Sequence, residues 1–166
     1  MNSGRPKIAV PYQTIDLVIE LINITLLLLI IGYTIINYAQ LPESVATHFN
    51  FKGEPDSFDH KATIWLIPGI AIFTYALLFV VNKYPHMHNY LVNITEENAL
   101  KNYRLSTRIV RFANLFCLIV FGLVTIEIVE RAMGSNFSIL GIPFLILTLG
   151  VPVVALIFVF IYMKKI

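Results

Sequence analysis

Apolar residues in this chain come in long unbroken runs, not at strand or amphipathic-helix intervals. Four runs, at about 15–38, 62–81, 109–129 and 139–163, reach the roughly 20 residues that a helix needs to cross a hydrocarbon core. None alternates every second residue as a membrane β-strand would. In lipid the backbone must pair within its own segment, so the pattern predicts four transmembrane α-helices in one domain, residues 1–166, packed as an all-α four-helix membrane bundle. Polar connections fall at 39–61 and 82–108.

The first connection contains LPESVATHFNFKGEPDSFDHK, residues 41–61. Val45, Thr47 and Phe49 have strand character. Phe51-Lys52-Gly53-Glu54 reads as a turn in which Gly53 supplies positive φ. Pro55-Asp56-Ser57-Phe58 leads back toward the membrane, with Asp56, Ser57 or Asp59 placed to cap the second span. The expected result is a small ordered cap, a β-hairpin in its simplest form. In the second connection, Thr95 is positioned to cap a helix that carries Glu96 and Glu97 in its first turn and runs on into the third span. Pro152 should kink the fourth span.

Composition adds the solvent. With 57% of 166 residues hydrophobic and 13% charged, the chain suits a bilayer better than water. A net charge of +2 gives no case for nucleic acid. Cys117 alone allows neither an intrachain disulfide nor a Cys-based zinc site. Arg5, Lys7, Lys83, Lys101, Arg104, Arg108, Arg111, Lys164 and Lys165 would share one side of the membrane, against Lys52, Lys61 and Arg131 on the other. By the positive-inside rule, both termini should be cytoplasmic and the 39–61 connection should face outward from the cytoplasmic (inner) membrane. The first apolar run is longer than a signal-peptide core and no small-x-small site follows it, so it reads as an uncleaved anchor.

Ionisable residues inside the runs are costly and therefore informative. Glu127 has Arg131 four residues on, the spacing of a helical ion pair. Glu20 lies near enough to one end of its span to snorkel or to meet Arg108 or Arg111. The alternative for the two carboxylates is a proton or cation path joining them. Lys101, Arg104, Arg108 and Arg111 recur at steps of three, four and three, a basic stripe suited to anionic headgroups or a cytosolic partner.

Leu41-Pro42, Val45, His48-Phe49-Asn50, Gly53, Asp56, Phe58 and Lys61 together resemble the signature of domain-of-unknown-function family 1648. Asn89-Tyr90, the run Ile94-Thr95-Glu96-Glu97-Asn98-Ala99 and Tyr103-Arg104-Leu105 are similar to the same proteins. The family occurs in prokaryotic membrane proteins and includes the immunity protein against the sporulation-delaying toxin, a longer chain with further spans. The resemblance implies a helical membrane fold with a ligand-facing loop built on these residues. Asp59 and His60 depart from it, standing where family members often have Gly and Ser.

Three roles compete for the loop. It is read first as a recognition surface for another membrane or exported polypeptide, with Phe49 and Phe58 as aromatic anchors. A divalent-cation site on His48, Asp56, Asp59 and His60 is the alternative; no HxxxH-type pair is present to support it. A purely structural seal over the helices is the third. His86 and His88 have no carboxylate or Cys nearby in sequence. The chain lacks a nucleophile elbow, an HExxH motif and paired carboxylates at one depth, so no enzyme and no cofactor is expected. Its expected partners are the bilayer, a membrane or exported protein, and further copies of itself should a pathway have to be enclosed.

Overall fold

The structure is a computed structural model that describes residues 4–136 and 138–163; Lys164 and Lys165, used above for orientation, lie outside the described residues. In chain order it runs α1 (Thr14–Tyr38), β1 (Ser44–Phe49), β2 (Pro55–His60), a 3-10 turn (Lys61–Trp65), α2 (Leu66–Val81), a second 3-10 turn (Pro85–Met87), α3 (Ala99–Ala132) and α4 (Ile142–Met163). Four helices are long and apolar enough to cross a membrane, which marks a multi-pass membrane protein. The antiparallel pair β1–β2 lies between the first two of them, as the sequence predicts. We call its end of the molecule the hairpin end and the opposite one the far end.

α3 is the central element, packing along α1 and α2 and supporting β1. Three apolar clusters mark levels of the molecule. At the hairpin end Leu41, Val45 and Ile64 bury against Ile128 and Val129. At mid-height Ile30, Ala71 and Leu118 meet. At the far end Ile94, Ala99 and Tyr103 are covered by Val10 and Tyr90. The segment before α1 reaches this last cluster because Tyr103 donates its hydroxyl to the Pro6 carbonyl (2.9 Å) and Arg5 donates to the His86 and His88 carbonyls (3.2 and 2.6 Å).

α4 stands apart. None of its apolar window is buried, and it carries Pro152 within the helix. A helix that is hydrophobic all round suits a lipid environment.

Two helix starts differ from expectation. α3 is continuous for 34 residues but begins at Ala99, leaving Glu96 and Glu97 in a turn before it. Thr95 is not the cap: its N–H donates to Asn98 Oδ1 (2.9 Å), and Asn98 also donates to the Asn93 carbonyl, so the Asn side chain organises the turn. Before α2, the residue that caps is His60, whose Nδ1 accepts from Ala62 N–H (3.1 Å) where Asp56, Ser57 or Asp59 was expected. The hairpin places His60 at the last strand position, one residue ahead of the 3-10 turn.

Replacing Leu118, fully buried against Ile30 and Ala71, should cost about 2 kcal/mol as Leu118→Ala through lost packing. Unfolding in detergent micelles measures it, and an unchanged midpoint would mean that the mid-height cluster is not a packed core.

Candidate functional site

The hairpin is built around Asn50. Its Oδ1 accepts from Lys52 N–H (2.8 Å) and Glu54 N–H (3.1 Å), while its Nδ2 donates to Glu54 Oε2 (3.0 Å). The Asn50 backbone closes the turn with Glu54 and Gly53. Gly53 has φ +79°, and a Cβ there would lie 1.6 Å from the Leu140 carbonyl oxygen. Glycine is thus required twice, for the left-handed backbone and for close approach to the α3–α4 connection.

Pairing runs Ser44 to His60, Val45 to Asp59, Ala46 to Phe58, His48 to Ser57 and Phe49 to Pro55, with irregularities on either side of His48. Bulges of this kind re-aim side chains. Here they bring His48 Nδ1 to 2.5 Å from Asp56 Oδ1, with both side chains exposed. At the other end of the strands, His60 Nε2 meets Glu43 Oε2 (3.3 Å) and Lys61 Nζ meets Glu43 Oε1 (2.9 Å). Since His60 Nδ1 accepts, Nε2 is the nitrogen that carries the proton. The Lys61 ammonium holds the Glu43 carboxyl below its usual range, with His60 adding to this. That contribution is complete above the ordinary value of 4.5 and fades as pH falls through the lowered one.

The sequence-predicted residues therefore divide. Leu41 is buried in the core beneath the hairpin, Phe49 packs against it, and Pro42 and Phe58 are exposed. His48 pairs with Asp56 and His60 with Glu43, and Asp59 accepts from the His60 N–H. Among the described residues no three His, Cys, Asp or Glu side chains converge as metal ligands.

Underneath, Glu127 is fully buried and binds in two directions. Arg131 Nε donates to its Oε1 (2.9 Å) and Ile139 N–H donates to its Oε2 (2.6 Å). Arg131 Nη2 also donates to the Gly53 carbonyl (3.3 Å). The helical pair expected from sequence thus also clamps the hairpin turn and the root of α4. The hairpin, not the helix pattern, supplies this last partner, and no spacing rule could have found it.

At the far end the basic stripe is split. Lys101 is exposed and Arg104 half-buried, but Arg111 is 6% exposed and lies 3.7 Å from Asp16 and 3.6 Å from Glu20. Arg108 donates to Asp16 Oδ1 (2.9 Å) and to Gln13. Arg108 and Arg111 therefore turn toward α1, because Asp16 and Glu20 require countercharge at that depth. Tyr75 donates to Glu20 Oε1 (2.8 Å). Asp16 escaped the sequence reading, since it sits at the edge of the apolar run where an acid is unremarkable. Ile30, Ala71 and Leu118 fill the level between this cluster and Glu127, where a path joining Glu20 to Glu127 would have to pass. His88, with Nδ1 at Ser106 Oγ (2.6 Å) and Nε2 at the Val81 carbonyl (3.1 Å), has both nitrogens engaged.

Gly53→Ala should raise amide exchange across residues 50–54 about tenfold or more by unseating the turn. Gly134→Ala, also at positive φ but in open space, should cost only about 1 kcal/mol and leave those amides alone. Equal effects of the two substitutions would show that the Leu140 contact does not hold the turn.

The family model described as "Domain of unknown function (DUF1648)" matches residues 25–72. A protein of Archaeoglobus fulgidus described as "Uncharacterized protein" is 37% identical over 65 residues, 39% of this chain and 34% of that protein. The match thus spans about a third of the relative's length. No solved structure matches the chain. The second stretch of resemblance, around Asn89 to Leu105, lies outside the family match. The hairpin, most of α1 and the start of α2 form the part of this chain that resembles DUF1648, residues 25–72.

Proposed function

We propose that this protein acts by binding rather than catalysis, and that the hairpin recognises another membrane or exported polypeptide on the outer face of the cytoplasmic membrane. One observation carries the reading. β2 has no buried side chain along Pro55–His60, although β1 beneath it is packed on α3. The strand is supported from one side and open on the other. A free strand edge offers unpaired backbone groups to an extended polypeptide, and a rigid one loses little entropy on binding. Phe58, 59% exposed, and Phe51, 79% exposed, supply aromatic contact area beside it. His48, Asn50 and Asp56 hold the bulged strands and turn in shape, so their role is to present the edge.

The orientation belongs to the same proposal. It rests on the excess of Lys and Arg assigned to the far end and termini over Lys52, Lys61 and Arg131. In that placement β2 meets exported and membrane-borne chains, the partner class that an immunity-like or complex-subunit role requires.

A photo-crosslinking side chain in place of Phe58 should give a discrete polypeptide adduct in native membranes, and the same group at Lys101 should not give that adduct. No adduct from position 58, in a protein that still inserts, would defeat the recognition role. Lys52→Cys should react with a membrane-impermeant thiol reagent in intact cells while Lys101→Cys stays silent; the reverse pattern overturns the orientation.

A further inference from the structure

The far end contains a cavity of about 210 Å³ between the segment before α1, the end of α2 and the start of α3. Its polar lining includes Asp16, Asn82, Lys83, Thr107 and Arg111. Two of these carry buried atoms without a hydrogen-bond partner, the donor Arg111 Nε and the acceptor Asn82 Oδ1. Orphaned buried groups are uncommon and ask for a ligand or ordered water. Arg111 is 6% exposed, and its two carboxylate neighbours lie at 3.6 and 3.7 Å, beyond hydrogen-bond reach. Asp16 is already engaged by Arg108 at 2.9 Å and by Gln13 N–H at 2.8 Å. Lys83, exposed just beyond α2, has its Nζ over the Phe79 ring (4.8 Å) and forms no ion pair with a carboxylate among the described residues. The charged groups that line the cavity are thus one acid, already answered, and two bases.

We propose that this cavity binds the phosphate of a membrane phospholipid headgroup. Arg111 and Lys83 take the phosphate oxygens. Asn82 Oδ1 accepts from the hydroxyl or ammonium that the headgroup carries beyond the phosphate, which answers two orphans of opposite polarity with one ligand. Depth favours a lipid over a free ion: the cavity lies where α1 begins at Thr14 and α2 ends at Val81, the level at which headgroups meet helix ends. Guanidinium and ammonium groups are the usual phosphate partners in proteins. Tyr12, whose ring lies under the Arg111 guanidinium (4.6 Å), holds that group in place from the solvent side.

The test uses the full chain, stripped of lipid in detergent and followed by native mass spectrometry. Dioleoylphosphatidylglycerol should give a one-to-one adduct that outlasts any with dioleoylglycerol, which has the same tails and no phosphate. Lys83→Ala, at an exposed side chain, should weaken the adduct about fivefold. Ala9→Trp, which fills the cavity and keeps every charge, should remove it. Equal retention of the two lipids, or an adduct indifferent to both substitutions, would leave only water in the cavity and overturn the proposal. Displacement of the lipid by millimolar inorganic phosphate, with no preference for the tailed form, would overturn the lipid source as well.

Discussion

A carboxylate inside a bundle has to be answered, and the hairpin end of this protein is arranged around one such answer. Burying an ion costs several kcal/mol unless partners replace its water. Glu127, with no exposed surface, is met by Arg131 from its own helix and by the Ile139 N–H from the connection to α4. Arg131 has donors to spare, and one reaches the carbonyl of Gly53. Three segments distant in sequence are thereby fixed by one charge. Gly53 completes the arrangement by letting the turn settle onto Leu140 without a side chain between them. Remove Arg131 and the turn loses its donor; add a methyl at Gly53 and the turn is pushed off Leu140.

What could be read from the sequence follows the range of each interaction. The four spans, the hairpin with its positive-φ glycine and the Glu127–Arg131 pair all have local signatures: run length, turn chemistry, and a four-residue step. Asn50 belongs to the motif, yet its work as the centre of the turn is visible only when its amide is seen bonded to Lys52 and Glu54. Asp16 with Arg108, Tyr75 with Glu20 and Tyr103 with Pro6 join residues far apart in the chain, and no periodicity announces them. Arg111 beside Glu20 is one of the pairings the sequence offered, whereas its approach to Asp16 is not. A stripe of bases on a helix looks solvated until the facing helix is known to carry acids.

The two ends also differ in how completely their polar groups are satisfied. Among the described residues, the buried side-chain atoms without partners belong to Asn23, Asn82, Arg104, Arg111 and Asn114, all toward the far end. At the hairpin end the buried carboxylate is satisfied on both oxygens. A closed network holds a shape, whereas an open one leaves capacity for something else. The far end has charge and a cavity together with open valences, and the hairpin end has rigidity and an exposed strand.

The apolar cluster of Ile30, Ala71 and Leu118 lies between these two halves. At the hairpin end the same buried charge, Glu127, also reaches α4. Its span has no buried residue, while its root at Ile139, Leu140 and Gly141 is held by Glu127 and the hairpin turn. The position of that helix is therefore set by the same few residues that shape the exposed hairpin. A change in the turn, whatever brings it about, is thus felt at the root of α4.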